Sequence, residues 1–311
     1  MKKTNQEINQ NQTNRWAIAI ILLVVLSIMS IFIATITGAF MSSKMLYEPG
    51  NIAIIKIHGT IMIDKSGGFM EQGIASSSEI TNFIKIADED PMIEAIIFDI
   101  NSPGGTPVAS YEIVEAIQKT EKTTVAWIRE YGTSGAYWIA SATDYSIANP
   151  ISITGSIGVR GSYLDFSQFI QDYNITYQEI SAGEFKEVGN PFKELKEEEK
   201  EIFQETIGLM QEEFITSVAE NRNLSVESVR EVANGMFYLG SQAKSYGLID
   251  ALGGFDEALE YVIEKEEIKN PQITRFKQEK TLLDVLSGMI GYQSFNLGLG
   301  IGNSGKFNIR T

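Results

Sequence analysis

Short apolar runs alternate with helix-like segments between residues 51 and 267, and this alternation constrains the fold more than any other feature. Strand candidates lie at residues 51–57, 94–100, 123–128, 145–148 and 175–180, and helix candidates lie at 79–87, 107–119, 133–142, 164–173, 193–221, 225–234 and 255–266. Alternating strands and helices favour parallel pairing with right-handed crossovers. The pattern therefore predicts one α/β domain, and no repeat or break in composition divides it.

A long apolar segment precedes this domain. Residues 17–41 carry no charge and are rich in Ile, Leu and Val. As a helix rising about 1.5 Å per residue, this segment is long enough to cross a hydrocarbon core of roughly 30 Å, whereas the apolar part of a cleaved leader has about 7–15 residues. We expect a single transmembrane anchor. A cleaved leader is the alternative, because Thr37-Gly38-Ala39 could serve as a small-residue cleavage site.

The charges around the apolar segment predict its orientation. Three basic residues precede it, Lys2, Lys3 and Arg15, whereas only Lys44 closely follows it. The positive-inside rule then places the N-terminus in the cytoplasm and the rest of the chain on the extracytoplasmic face of the cell membrane. The predicted layout is a cytoplasmic tail, an anchor, a linker, the α/β domain and a C-terminal tail, at residues 1–16, 17–41, 42–50, 51–267 and 268–311.

Composition excludes several classes of function. The formal net charge is −15, which argues against nucleic-acid binding because phosphate recognition depends on Lys and Arg clusters. The chain has no cysteine, so disulfides, thiolate zinc sites and a thiol nucleophile are excluded. We expect no metal and no cofactor.

Ser134 is the candidate nucleophile, because it lies between small residues where a strand candidate gives way to a helix. Gly135 follows it at the helix start, and a second glycine-rich turn, Ser102-Pro-Gly-Gly105, ends another strand and opens a helix. Free N–H groups at such turns can stabilise a developing oxyanion. Both turns should lie at the carboxyl ends of parallel strands, where open α/β sheets place their sites.

A serine nucleophile needs a base, and the chain offers few candidates. His58 is the only histidine, and its strand-like surroundings favour a structural role. A lysine base must be uncharged, which burial among apolar groups promotes. Lys186 is flanked by Phe185 and Val188, so it is a candidate base, although a surface salt bridge is the alternative.

The C-terminal tail is apolar and rich in glycine between residues 282 and 301. It is too interrupted for a second membrane span. Three interpretations remain open: a peripheral packing segment, a disordered segment, and a peptide that enters the protein's own binding groove.

Five motifs in this order resemble the signal peptide peptidase A family, and together they cover about residues 50–267. They are residues 102–105 (SPGG), 134–140 (SGAYWIA), 148–159 (ANPISITGSIGV), 183–186 (GEFK) and 235–250 (GMFYLGSQAKSYGLID). The family consists of membrane-anchored serine proteases with a Clp-protease or crotonase-like fold, a repeated β-β-α superhelix.

The resemblance implies a Ser/Lys dyad in which Ser134 is the nucleophile and Lys186 the general base. Ser156 matches a serine that hydrogen-bonds the lysine, and the N–H groups of Gly105 and Gly135 would form the oxyanion hole. Ala136 is a departure, because many members carry a second glycine there; a methyl group at a helix start casts little doubt on the dyad.

The resemblance also implies peptide substrates, namely remnant signal peptides cleaved in or at the membrane. It implies a homo-oligomer, ring- or dome-like, in which one subunit's lysine could serve a neighbour's serine. Two alternatives stay open. One is a catalytically inactive membrane scaffold of the same fold, and the other is a crotonase-like acyl-CoA enzyme, which needs neither this serine nor a distant lysine.

Overall fold

The structure is a computed structural model and describes residue 16 and residues 20–33, 49–65 and 73–276. The chain divides into two units, Met1–Tyr47 and Glu48–Thr311. In the first unit, residues 20–33 form an exposed helix, α1. Within the described ranges, no helix combines the length and hydropathy that a bilayer crossing requires. Residues 17–19 and 34–41 of the expected anchor lie outside the described residues, so the anchor stays a prediction.

An eight-stranded sheet forms the centre of the second unit. Its strands are β1 (Ile52–His58), β4 (Ala95–Ser102), β5 (Thr123–Thr133), β6 (Tyr145–Ala148), β7 (Ile153–Gly155), β8 (Phe237–Leu239), β9 (Ala251–Leu252) and β10 (Ile273–Arg275). The main order is β10-β1-β4-β5-β6-β9, and β7 pairs with the end of β5 and with β8. All pairs are parallel except β7–β8. The predicted α/β class with a mainly parallel sheet is confirmed.

A small parallel sheet and eight helices complete the described part of this unit. The small sheet pairs β2 (Thr60–Met62) with β3 (Ile74–Ser76). The helices are α2 (Ser77–Glu89), α3 (Pro107–Lys119), α4 (Gly135–Ser141), α5 (Ser167–Asp172), α6 (Glu197–Arg222), α7 (Val226–Val232), α8 (Gly240–Ser245) and α9 (Phe255–Lys265).

The predicted strand at residues 175–180 is wrong. This segment has no regular structure, and all of its residues are exposed. Its apolar residues suit a strand locally, but a strand also needs a neighbouring strand as hydrogen-bond partner, which local sequence does not reveal. At the other end of the unit, β10 pairs with β1, so the described fold continues beyond the predicted boundary at residue 267.

The two faces of the sheet bury separate apolar layers. Along β1, Ile55 and Ile57 pack on the side of α2, α3 and α4, whereas Ile52 and Ile54 pack on the side of α9. This alternation follows from the period of two in a strand. The helices after β4 and β5 cover one face, so the turns that begin them lie together at one edge of the sheet.

A half-buried ion pair ties the end of α6 to the segment before β9. Arg222 donates from Nη1 and Nη2 to the two carboxylate oxygens of Asp250, at 2.8 and 2.7 Å. Asp250 also accepts from the backbone N and the hydroxyl of Ser146. Burial by itself raises the pKa of the Asp250 carboxyl, but the hydrogen bonds and charge of Arg222 and the Ser146 contacts hold it below its usual value.

Replacing Asp250 with alanine should lower the free energy of unfolding by about 3 kcal/mol, because the Arg222 side chain, 7% exposed, would lose its counter-charge. Chemical denaturation at pH 7 measures this loss. Because folding lowers the carboxyl pKa, the pair's contribution is complete above the unfolded pKa of about 3.9 and is lost as pH falls through the folded value.

The matched control is Glu212→Ala, which removes an equally bidentate but exposed partner from Arg230. Solvent screens the charges of that pair, so the free energy of unfolding should change little. Equal losses in the two variants would contradict the structural role assigned to Asp250.

Candidate active site

Ser134 occupies the junction between β5 and α4 in a strained conformation. Its φ and ψ are 54° and −127°, in a region that residues with a side chain rarely adopt. The Ser134 N–H donates to the Gly155 carbonyl at 2.8 Å, and its carbonyl accepts from the Trp138 N–H at 3.0 Å. Such strain costs on the order of 1–3 kcal/mol and persists only where the surroundings enforce it, most often at functional sites.

The turn after β4 packs directly against this serine. Gly104 has a φ of 97°, and a Cβ built on it would lie 2.8 Å from the Ser134 Cβ. A larger residue at position 104 would therefore displace Ser134. The two glycine-rich turns that the sequence placed at neighbouring strand ends are in contact.

Gly105 and Gly135 both present free backbone N–H groups at this point. The Ile61 N–H donates to the Gly104 carbonyl, and the Ile61 carbonyl accepts from the Thr106 N–H, both at 2.9 Å. In this parallel bridge the N–H of Gly105 itself faces away from Ile61. Neither glycine N–H has an acceptor among the described residues. A Cβ built on Gly135 would lie 3.5 Å from the Gly105 nitrogen, so the two groups are neighbours. Two adjacent free donors suit a developing oxyanion.

Two cavities meet at Ser134. One has a volume of about 330 Å³, and the other, of about 670 Å³, is more open. Pro103, Ser134, Gly158, Val159 and Arg160 line both of them.

The smaller cavity has an aromatic wall. Trp138 and Phe214 line it, and their rings stack with centroids 4.6 Å apart. The Trp138 indole N–H is satisfied by the Ser217 hydroxyl at 2.7 Å, so the wall is fixed. The cavity is thus suited to an apolar side chain.

Ser156 lies beside the second cavity. It lines this cavity together with Ser134, and its φ of 52° also makes it strained. Its hydroxyl donates to the Gly235 carbonyl at 3.1 Å, and its N–H donates to the Met236 carbonyl at 2.9 Å. Ser156, Gly105 and Gly135 therefore line the two cavities that meet at Ser134.

Lys186 lies elsewhere in the single chain. Its side chain is exposed in a turn. The Lys186 N–H donates to the Gly183 carbonyl at 3.2 Å, and this hydrogen bond holds the backbone of the turn. Lys186 lines a third cavity, with Tyr177 and Phe192, that contains neither serine. No hydrogen bond within the described chain joins Lys186 to Ser134. Within the described part of one chain, Ser134 and Lys186 thus line different cavities.

His58 does not line either cavity beside Ser134. Its Nε2 lies 2.8 Å from the carboxylate of Asp99, which is 5% exposed. Both side chains belong to the face of the sheet that packs on α9, whereas the helix after Ser134 packs on the other face. Among the described residues, no cluster of His, Asp and Glu could hold a metal ion.

Gly105→Ala should reduce kcat by about a hundredfold or more, the loss typical of one oxyanion donor. The new Cβ would lie 1.9 Å from the Ile61 carbonyl oxygen, so the turn must move. The steady-state kinetics of peptide cleavage measure the effect. Gly254→Ala is the control, because its Cβ would meet nothing closer than 3.6 Å. Normal kcat in Gly105→Ala would contradict the placement of this donor.

Several lining residues were not singled out from the sequence. Trp138, Phe214, Thr60, Ser110 and Arg160 line the smaller cavity from separate elements. Phe214 comes from the long helix α6, far along the chain, and no local pattern connects it with Ser134. Two of them had a usable signal, because Trp138 lies within the motif at residues 134–140 and Arg160 directly follows the Thr-Gly-Ser-Ile-Gly-Val motif.

Comparison with known proteins shows which proteins this chain resembles. The model of peptidase family S49 matches residues 116–269. A putative protease of Methanocaldococcus jannaschii is 30% identical over 261 residues, 83% of each chain. Protease 4 of Salmonella typhi is 30% identical over 78% of this chain, which spans 39% of that relative. A putative signal peptide peptidase SppA of Enterococcus faecium is 28% identical over 74% of this chain and 68% of the relative.

A strained serine beside two free N–H groups, at the mouth of an apolar cavity, is the arrangement of an acyl-transfer enzyme with a serine nucleophile. The chain belongs to the signal peptide peptidase A/S49 family of peptidases and is a serine protease.

Proposed function

We propose that the protein is a membrane-anchored serine endopeptidase that cleaves remnant signal peptides with a dyad of Ser134 and Lys186. The observation that carries the proposal is the position of Ser134 beside the free N–H groups of Gly105 and Gly135. Its backbone is strained and is held there by the hydrogen bond from the Ser134 N–H to the Gly155 carbonyl. Its Oγ has no hydrogen bond to any described residue, so it is available to a base.

The proposed reaction is covalent acyl transfer. Lys186 in its neutral form accepts the Ser134 proton, and Oγ attacks the peptide carbonyl. The N–H groups of Gly105 and Gly135 stabilise the oxyanion. The lysine ammonium then donates its proton to the leaving amine, and a water molecule, deprotonated by the same lysine, hydrolyses the ester. The Ser156 hydroxyl, which lines the larger cavity together with Ser134, would orient the amine.

We propose that the lysine comes from a neighbouring copy of the chain. In a single chain Lys186 is exposed and lines a cavity without Ser134, so the dyad needs a second subunit. The surrounding segment supports assembly, because many large apolar side chains between residues 163 and 192 are exposed. They are Tyr163, Leu164, Phe166, Phe169, Tyr173, Ile175, Tyr177, Ile180, Phe185 and Phe192. Apolar patches of this kind mark interfaces. Burial there would favour the neutral form of a lysine.

The proposed substrates follow from the apolar cavity and the anchor. The stacked wall of Trp138 and Phe214 suits the apolar side chains of a leader peptide. An anchor at residues 17–41 would hold the enzyme at the membrane where such remnants lie. The Enterococcus faecium relative is named a putative signal peptide peptidase, which supports this substrate class.

Labelling with a peptidyl phosphonate, which modifies activated serines, tests the proposal. Peptide mapping should find the label on Ser134 in the wild-type protein. Lys186→Ala should lose the label, whereas Ser156→Ala should label the same residue more slowly. A label on another serine, or undiminished labelling of Lys186→Ala, would contradict the dyad.

A further inference from the structure

Arg160 lines both cavities at Ser134, which together form the cleft, and the proposed reaction gives it no role. Among the described residues that line the two cavities at Ser134, Arg160 alone carries a charge. The chain as a whole has a formal net charge of −15 and 40 acidic residues, none of which lines these cavities in the described part. The lining of both cavities beside Ser134 thus contains one cationic side chain and no acidic one among the described residues.

The backbone that carries Arg160 is held in place. The Val159 N–H donates to the Gln211 side-chain oxygen at 3.0 Å, and the Gln211 amide donates to the Ala233 carbonyl at 3.1 Å. Gly158 packs so closely that a Cβ on it would lie 3.2 Å from the Gly235 Cα. Helix α6 and the segment before β8 therefore clamp the residues just before Arg160.

The Arg160 side chain has no partner within the described part of the chain. It is exposed and forms neither an ion pair nor a hydrogen bond with a described residue. Two other arginines of this unit are bidentately paired, Arg222 with Asp250 and Arg230 with Glu212. A guanidinium group presents a planar fork of donors that matches a carboxylate. Its free donors in the cleft are thus available to a bound molecule.

We propose that Arg160 binds a carboxylate of the peptide substrate close to the scissile bond and so determines part of the specificity. The carboxylate can come from an Asp or Glu side chain or from the C-terminus of the peptide, which any previously cleaved leader carries. The inference deepens the proposed function and rests on it for the nature of the ligand. Arg160 takes no part in the proton transfers.

The test measures peptide binding by the full-length Ser134→Ala protein in a non-ionic detergent, with and without Arg160→Gln. One series of fluorescent peptides is amidated and carries Asp or Asn at each position in turn. A second series contains no acidic side chain and ends in a free acid or an amide. At least one carboxylate peptide should bind about tenfold more tightly than its neutral match, as expected for a charge-assisted hydrogen bond.

Arg160→Gln should abolish this preference, so that each carboxylate peptide binds no more tightly than its neutral match. Preference for Asp over Asn identifies a side-chain carboxylate, and preference for the acid over the amide identifies the C-terminus. Arg160→Lys should keep part of the preference, because it keeps the charge without the fork. Lys85→Gln is the control for net charge, because Lys85 is 70% exposed on α2, and it should keep the full preference.

Two results would overturn the inference. One is that Ser134→Ala with Arg160 retained binds carboxylate and neutral peptides equally well. The other is that adding Arg160→Gln leaves the preference for the carboxylate peptide undiminished. Binding to Ser134→Ala needs no catalysis, so these results are independent of the dyad. Cleavage of a neutral peptide by the wild-type protein tests the proposed function separately. If the protein cleaves the neutral peptide but shows no preference for a carboxylate, the role of Arg160 is rejected and the proposed function is not.

Discussion

Ser134→Ala is expected to lower peptide cleavage by a factor of about 10⁴ to 10⁶, the loss seen when the nucleophile of a serine protease is removed. Without Oγ, no acyl-enzyme forms, while both cavities and the oxyanion donors remain. Hydrolysis of a fluorogenic peptide by the full-length protein in detergent measures the change, and circular dichroism confirms that the fold is kept.

Ser225→Ala is the matched control, because Ser225 also precedes a helix and its hydroxyl accepts the Ser228 N–H at 3.1 Å. It should lose a helix cap and keep full activity. Ser134→Gly should be as inactive as Ser134→Ala but more stable than wild type, since glycine adopts a φ of 54° without strain. If Ser134→Ala cleaved at the wild-type rate, the nucleophile would have to lie elsewhere.

Lys186→Ala is expected to lower cleavage by at least about a thousandfold, because general base catalysis and activation of the nucleophile are lost together. Lys186→Arg should not restore activity, because a guanidinium group does not lose its proton in proteins. Lys193→Ala is the matched control, since Lys193 lies nearby and pairs with Glu179 at 2.5 Å. The same fluorogenic assay applies.

Mixing subunits separates a dyad within one chain from a dyad between chains. The inactive variants Ser134→Ala and Lys186→Ala are dissociated, combined and reassembled. If Lys186 serves the serine of a neighbour, some sites in the mixed particles contain both wild-type residues, and activity returns. Activity that stays absent, in particles shown to contain both variants, would contradict a dyad between subunits.

The sequence predicted the elements that lie on either side of the site well. The helix at residues 107–119 and the strand at residues 145–148 have the predicted bounds. Strand β5 runs to Thr133, five residues further than predicted, because its end pairs with the short strand β7 instead of β6. This switch of partner depends on residues 153–155, distant from β5 in the chain. Local periodicity carries no information about it.

The parts of the site differ in how far sequence could predict them. Ser134, Gly105 and Gly135 follow directly from strand-to-helix turns, whose geometry is local. The cavity wall from Phe214 depends on how α6 packs on α4, which only the folded chain shows. Lys186 was found from its motif, but the single chain does not bring it to Ser134. In the proposed dyad, its position relative to Ser134 depends on assembly, a property that lies outside one chain's fold.

The most direct test of the central claim is an electron cryo-microscopy structure of the assembled full-length protein. The measurement is the distance between each Ser134 Oγ and the nearest Lys186 Nζ. The account predicts about 3 Å between residues of neighbouring subunits, within reach for proton transfer. A particle in which every copy of Lys186 faces solvent, remote from every copy of Ser134, would contradict the proposed dyad.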